Sequence, residues 1–426
     1  MRIFWLFYLV LTVSLCNAQT SSVQKSSPLE MASPESEGMS SERLNRISNM
    51  IQSSIAEMQI PGAVALVARN GKIVFHEAFG TKNENGDALE KDDIFRIASQ
   101  SKAITSTAVM QLWEHGHFAL DEPISKWIPE FKNPQVLDTL YDDGTYETTP
   151  ANKEITIRHL LTHTSGIGYG VIDGNPHMKK IYADAGIIDL YTTEDISIGD
   201  NIKKLAKLPL HHVPGEKFTY SEGLDVLGYF IEIISGKPFD QYLRDHIFDP
   251  LGMDDTWFYL PQSKHNRLVA VQKKEDKKWV NYPTTFYDPD YPKKGAMAFF
   301  SGGAGLSSTA KDYATFLQMY LNKGELNGVR ILSRTTVDVI MANQIKDLWG
   351  DANFYGLAFG VKGQKGADVG GQGSKGTFDW GGYFNTQYYA DPEEQIIGVL
   401  MKQTQGNNGD KTGWKFRQIV GACVDD

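Results

Sequence analysis

Apolar positions along this chain change period several times, and the changes divide it into segments. Leu44, Ile47, Ile51, Ile55 and Met58 recur at helical spacing after Ser41. Ile60-Pro61-Gly62 ends that pattern. Residues 63–69 and 72–79 then read as strands. Asn70-Gly71 sits between them and tolerates positive φ at both turn positions, which makes the pair a hairpin. The helical period returns over 99–114, with Gly116 as its stop. From about 117 to 300 the pattern breaks into helical pieces (156–162, 201–208, 224–234 and 239–248) separated by glycine and proline clusters. Strand patterning resumes over 355–361, 376–389 and 395–403, and 416–424 reads as a closing helix.

Strands at both ends of a chain are best satisfied by one sheet. The expected architecture is therefore a sheet from about 60–95 and 300–425, with a mostly helical insertion over about 99–300 packed beside it. A cleft is expected where the two parts meet. The long connections at 133–154 and 170–200 are expected to shape it.

The N-terminus adds an address. Arg2 is followed by a short apolar run over 3–15 and by Cys16-Asn17-Ala18, which suits cleavage before Gln19. The run is shorter than the roughly 20 residues a bilayer span needs. Residues 1–18 are thus read as a signal peptide and the protein as exported, to the periplasm or the medium, with no membrane span after cleavage. A lipoprotein reading through Cys16 is weaker, because bulky Leu15 precedes it. Residues 19–38, rich in Ser, Gln, Pro and Glu, read as a loosely ordered leader, and 39–425 as the folded domain. Cys423 is the other of two cysteines, so the mature chain forms no internal disulfide and Cys423 is assigned to packing. With 52 acidic against 42 basic residues and no basic patch, nucleic acid is excluded as a partner.

Three short motifs carry candidate chemistry. In Ser99-Gln100-Ser101-Lys102 a helix would put hydroxyl and amine on one face. A serine hydroxyl needs a base to become a nucleophile, and a lysine serves if burial favours its neutral form. Ser-x-x-Lys occurs three times, beginning at Ser22, Ser99 and Ser308. Ser22 lies in the leader, and Ser308 precedes Thr309 and Asp312, which read as a helix capping box. Only the Ser99 copy opens a helix that is apolar on most sides. The second motif, Tyr220-Ser221-Glu222, follows a turn and precedes a helix, where a phenol could relay a proton. The third, Trp380-Gly381-Gly382, lies in a strand-like run. Paired glycines there allow close backbone approach, which suits an oxyanion-binding amide. Lys411-Thr412-Gly413 follows the last strand-like run and is read as a loop.

Taken in this order, the motifs resemble the serine β-lactamase and penicillin-binding-protein superfamily, and within it the class C, D,D-peptidase and esterase branch. The resemblance spans about 35–425. It includes Phe95-Arg96-Ile97-Ala98, Leu160-Leu161-Thr162-His163-Thr164-Ser165-Gly166 and Gly302-Gly303-Ala304-Gly305-Leu306. It implies an α/β (α+β) fold, with an antiparallel sheet built from both termini, flanked by helices and carrying the helical insertion. By the same resemblance Ser99 is the acylated nucleophile, Lys102 its base and Tyr220 a proton-transfer partner. The backbone N–H groups of Ser99 and Tyr383 form the oxyanion hole, and Trp380, Gly381, Gly382 and Glu222 meet the substrate. No metal or cofactor is implied.

Two positions depart from the pattern. Glu222 stands where β-lactamases and peptidases usually carry Asn, and Trp-Gly-Gly replaces Lys-Thr-Gly. The lost lysine would have faced a substrate carboxylate, so uncharged substrates are favoured. The expected activity is hydrolysis of a small ester or amide through an acyl-enzyme, esterase first. The alternatives are a D-amino-acid peptidase or amidase, a weak β-lactamase, or a non-catalytic binding protein whose site Glu222, Tyr383 and Phe384 have reshaped. No serine has the Gly-x-Ser-x-Gly surround of an α/β-hydrolase, and the ten histidines show no zinc-ligand spacing.

Overall fold

The computed structural model describes residues 21–370, 373–406 and 409–426, so the expected signal segment 1–18 lies outside the described residues. Eight strands form the main sheet: β1 (Glu30–Met31), β2 (Gly62–Arg69), β3 (Lys72–Gly80), β4 (Asn353–Tyr355), β5 (Gly360–Lys362), β6 (Phe378–Gly381), β7 (Gln387–Asp391) and β8 (Ile396–Met401). Their order is β1-β3-β2-β8-β7-β6-β5-β4. All neighbours are antiparallel except β1, which runs parallel to β3. The two ends of the chain meet in the β2–β8 pairing, with Ala65 opposite Leu400. Asn70 and Gly71 close the β2–β3 hairpin with φ of 53° and 78°.

Helices cover both faces of this sheet. The period of two along β2 sends Ala63, Ala65 and Val67 to one side, where they pack with Leu44, Ile47 and Ile51 of α1 (Ser41–Ala56). Val64, Leu66 and Ala68 face the other side and the larger core. That core contains Ile104, Ala108 and Val109 of α2 (Ser101–Glu114), Leu227 and Phe230 of α3 (Gly223–Ser235), and Phe316 and Leu317 of α4 (Ala310–Leu321). Phe416 and Val420 of α5 (Thr412–Gly421) join α1 on the first side. A sheet covered on both faces explains why β2 and β8 are continuously apolar. Buried Cys423 lies in the α1–α5 core, where burial pushes its thiol up to about 11. Among the described residues no helix is long and apolar enough to cross a membrane.

Several expectations are corrected. Residues 21–38 are not loose: Glu30 and Met31 pair with Lys72 and Ile73, and Leu29 is buried in the core. The edge of β3 would otherwise present unpaired backbone groups, which even a polar segment can cap. The runs 355–361 and 376–389 are not single strands. Each is a hairpin, β4–β5 and β6–β7, turning at left-handed Ala358 (φ 67°) and Asn385 (φ 74°). The side-chain period carries over such tight turns, so the pattern alone hides them. Lys411-Thr412-Gly413 is not a loop but the start of α5. The segment 133–154 contains a hairpin, Gln135–Leu140 with Tyr146–Pro150.

Ile397 of β8 is fully buried in the larger core. Ile397→Ala should lower unfolding free energy by about 2–5 kcal/mol in a denaturant titration, the range for emptying a packed apolar site.

Candidate active site

The nucleophile candidate is held by its neighbours before its own helix begins. Phe95–Arg96 pairs with Ser307–Ser308, and the Ile97 N–H donates to the Leu306 carbonyl at 3.0 Å. Arg96 is fully buried and donates to the carbonyls of Val269 and Pro289, each at 2.7 Å. Ala98 then takes a positive φ of 45°, and Ala98–Gln100 forms a 3-10 turn leading into α2. A non-glycine residue in that region stores strain that only well-fixed surroundings can hold. The turn leaves Ser99 half-buried at the cleft, one turn above Lys102.

Lys102 is 1% exposed, and its nitrogen has three partners. Nζ donates to the Gly303 carbonyl at 2.7 Å, to Tyr169 Oη at 2.9 Å and to Ser99 Oγ at 3.4 Å. It also lies 4.6 Å from the centre of the Tyr220 ring, a cation–π distance. Gly303 permits this approach, since a Cβ there would lie 2.4 Å from Asp225 Oδ2. Tyr220 Oη accepts a 3.2 Å hydrogen bond from Trp380 Nε1. Among the described residues no hydrogen bond joins Tyr220 to Ser99 or Lys102. Tyr169 and His163 were not singled out as site residues from sequence, although His163 lies in the family-like run before Gly166. His163 accepts the Ser221 N–H on Nδ1 at 3.1 Å and tilts against Tyr220 at 4.5 Å. Burial, with Lys102 nearby, holds it well below its ordinary pKa.

A group of carboxyls lies beneath the lysine. Asp225 accepts from Ser301 Oγ at 2.5 Å and from the Gly303 N–H at 3.3 Å. Burial raises its pKa, while the Ser301 bond and Lys102 oppose the rise. Glu222 is 1% exposed and does not line the cleft, which corrects its assignment to substrate binding. Its backbone N–H donates to the Gly168 carbonyl at 3.1 Å, and its side chain points into the protein toward Asp189. Burial raises its pKa well above the ordinary value, and the neighbouring Asp189 adds to the rise.

Ser99, Tyr220, Trp380, Gly381, Gly382 and Tyr383 all line one cleft of about 990 Å³. No residue of 133–154 or 170–200 lines it directly, but Ile172, Leu190 and Tyr191 of the second segment pack in one cluster with Tyr220, Tyr383 and Phe384. Trp380 is the centre of an aromatic wall: its ring meets Tyr220 at 5.8 Å and Tyr355 at 5.4 Å, and Trp349 stacks parallel to it at 6.1 Å. The end of β6 runs against the nucleophile turn. A Cβ on Gly382 would lie 2.5 Å from the Ile97 carbonyl oxygen, so a side chain there would push the strand away. The next amide, Tyr383 N–H, has no acceptor among the described residues. A buried-side hydroxyl next to an amine, with a free amide at the same cleft, is an arrangement suited to acyl transfer.

The family described as Beta-lactamase matches residues 47–422. Over 83% of this chain and 89% of its own length, Protein Rv1367c of Mycobacterium tuberculosis (strain ATCC 25618 / H37Rv) is 32% identical. Esterase EstB of Burkholderia gladioli is 30% identical over 86% of this chain and 92% of its own. Among solved structures, EstCE1, a hydrolase with promiscuous acyltransferase activity, superposes with a TM-score of 0.76 at 25% identity. It covers 89% of this chain and 98% of its own.

Glu222 supplies a test of the buried carboxyls. Its folded pKa is raised, so above the ordinary carboxylate range the folded state binds more protons than the unfolded one, and stability falls as pH rises. Glu222→Gln removes that dependence. Its gain in melting temperature over the unaltered protein should be larger at about pH 8 than at about pH 5, with a limiting slope of about 1.4 kcal/mol per pH unit. Calorimetry at both pH values checks this, and an equal difference at both would show that Glu222 is ionised in the fold.

Proposed function

The chain belongs to the β-lactamase family and is a serine hydrolase, and on that footing we propose that it is an esterase acting on small uncharged esters through an acyl-enzyme on Ser99. The observation that carries this reading is the 3.4 Å approach of Lys102 Nζ to Ser99 Oγ at an aromatic-walled cleft. The similarity to Esterase EstB supports the ester over the amide as substrate.

In the proposed mechanism Lys102 enters as the neutral amine, and Ser99 Oγ attacks the ester carbonyl as its proton passes to the lone pair of Nζ. The carbonyl oxygen becomes an oxyanion and is held by the N–H groups of Ser99 and Tyr383, donors that matter most when charge develops. The tetrahedral species collapses and expels the alcohol, which takes its proton by way of Tyr220, whose ring borders Lys102 and whose hydroxyl faces Trp380. Water then attacks the acyl-enzyme by the reverse proton path and releases the acid. Gly303 and Tyr169 accept two hydrogens of Nζ and so direct the third position of that nitrogen at Ser99.

Trp380 governs substrate choice in this reading. Its indole occupies the place where a lysine would meet a carboxylate, and it is fixed by its bond to Tyr220. Arg417, which also lines the cleft, is paired with Asp379 at 2.5 Å. An apolar acyl group suits the aromatic wall centred on Trp380. We place the protein outside the cytoplasm, on the strength of the apolar run at 3–15 and the small residue at 18.

Ser99→Ala should lower ester turnover by about 10,000-fold or more with an unchanged melting curve. A fluorophosphonate probe should add one mass increment, mapped to Ser99. Full turnover in the alanine variant would end the proposal. Short p-nitrophenyl esters should exceed nitrocefin in kcat/KM by about 100-fold; the opposite ranking would mean Trp380 does not set the preference.

A further inference from the structure

A buried ion pair lies at the wall of the cleft, which Asp410 helps to line, and takes no part in the mechanism above. Lys402, just after β8, and Asp410, just before α5, are each 1% exposed at the side chain and hydrogen-bonded to one another. Lys402 Nζ also donates to Thr412 Oγ1 at 2.8 Å. Asp410 Oδ1 accepts the Thr412 N–H at 2.8 Å and its hydroxyl at 2.6 Å. Thus the Lys-Thr-Gly stretch serves this pair through its threonine. Burial pushes Asp410 upward, but Lys402 and Thr412 outweigh it and hold the carboxyl below its ordinary range. Replacing a buried pair by apolar groups of similar volume is often neutral or stabilising. Stability alone is therefore a poor reason for this one.

The Asp410 oxygen that accepts from Lys402 also reaches the turn that follows β6. Oδ2 accepts from Asn385 Nδ2 at 2.9 Å, and the same nitrogen reaches Thr404 Oγ1 at 3.1 Å. Asn385 is the left-handed residue of the β6–β7 turn, the turn that carries Tyr383. Within it, Gly382 N–H donates to Thr386 O at 2.8 Å and Asn385 N–H to Gly382 O at 2.9 Å. From outside, β9 (Thr404–Gln405) holds the other carbonyls. Thr404 N–H donates to Phe384 O at 3.1 Å, and Gln405 Nε2 donates to Tyr383 O at 2.8 Å. These bonds hold the carbonyls of Gly382, Tyr383 and Phe384, while the Tyr383 N–H has no acceptor among the described residues.

We propose that Lys402 and Asp410, acting through Asn385, are positioning residues that hold the Tyr383 amide where the oxyanion forms. This rests on the acyl-enzyme reading above. A displaced oxyanion donor weakens the transition state and leaves ground-state binding alone, so kcat falls and KM does not change.

Asn385→Gly keeps the left-handed backbone, which glycine adopts freely, and deletes only the tether. It should lower kcat by about 10–100-fold, less than the loss of a whole oxyanion donor, with KM within about twofold and the melting temperature nearly unchanged. An alkyl boronic acid, which binds serine hydrolases as a tetrahedral anion, should lose affinity by the same factor as kcat/KM. Asp410→Asn provides the second variant, with the same signature expected should Asn385→Gly not fold. Unchanged kcat and boronate affinity would overturn the proposal, and so would a rise in KM with kcat intact. If the unaltered protein turns over esters and labels at Ser99, such a result removes only the positioning role. If the unaltered protein does neither, the acyl-enzyme reading falls and this inference with it.

Discussion

A lysine nitrogen taken out of water needs hydrogen-bond partners before a protein can close around it. Much of the centre of this molecule meets that demand for Lys102. Gly303 must lack a side chain so that its carbonyl can reach Nζ while its N–H reaches Asp225. Tyr169 gives a second acceptor, the face of Tyr220 a third surface, and Ser99 completes the shell at 3.4 Å. These groups come from the first turn of α2, from two loops of the helical insertion and from the segment that returns to the sheet. Burying one amine therefore ties the insertion to the sheet and places the nucleophile at their junction.

The same constraint explains the carboxyls. Asp225 lies close enough to balance the lysine and is itself satisfied by Ser301 and Gly303. Glu222, one helical turn earlier, is pushed toward its neutral form by burial and then by the neighbouring Asp189. A glutamate can therefore occupy this position without adding charge to the cleft. The cleft takes its character from Trp380, whose indole is held by Tyr220 and stacked on Trp349.

Much of this was legible from residue order. The helix of Leu44, Ile47 and Ile51, the Asn70-Gly71 hairpin and the paired sets of terminal strands follow from local periods and turn chemistry. The three motifs, read together, also placed Ser99, Lys102, Tyr220 and Trp380 at one site, because each sits at an element boundary with its own local signal. Tyr169 and the Lys402–Asp410 pair had no such signal. An isolated tyrosine, or a lysine at the end of a strand, reads as ordinary packing or as surface until the fold closes over it. The polar segment 21–38 was misread for a related reason: its partner, the edge of β3, is distant in sequence.

By itself, then, the sequence determined the elements, their order and the type of chemistry, since helix period, turn residues and an activated serine motif are local properties of the chain. Tertiary structure alone decided which groups the amine of Lys102 meets, that Glu222 turns away from the cleft, and that Lys402 and Asp410 reach the turn bearing Tyr383. Those outcomes depend on distances between segments far apart in the chain, and on how much water the packed core excludes from each charge, and neither quantity is carried by any local run of residues.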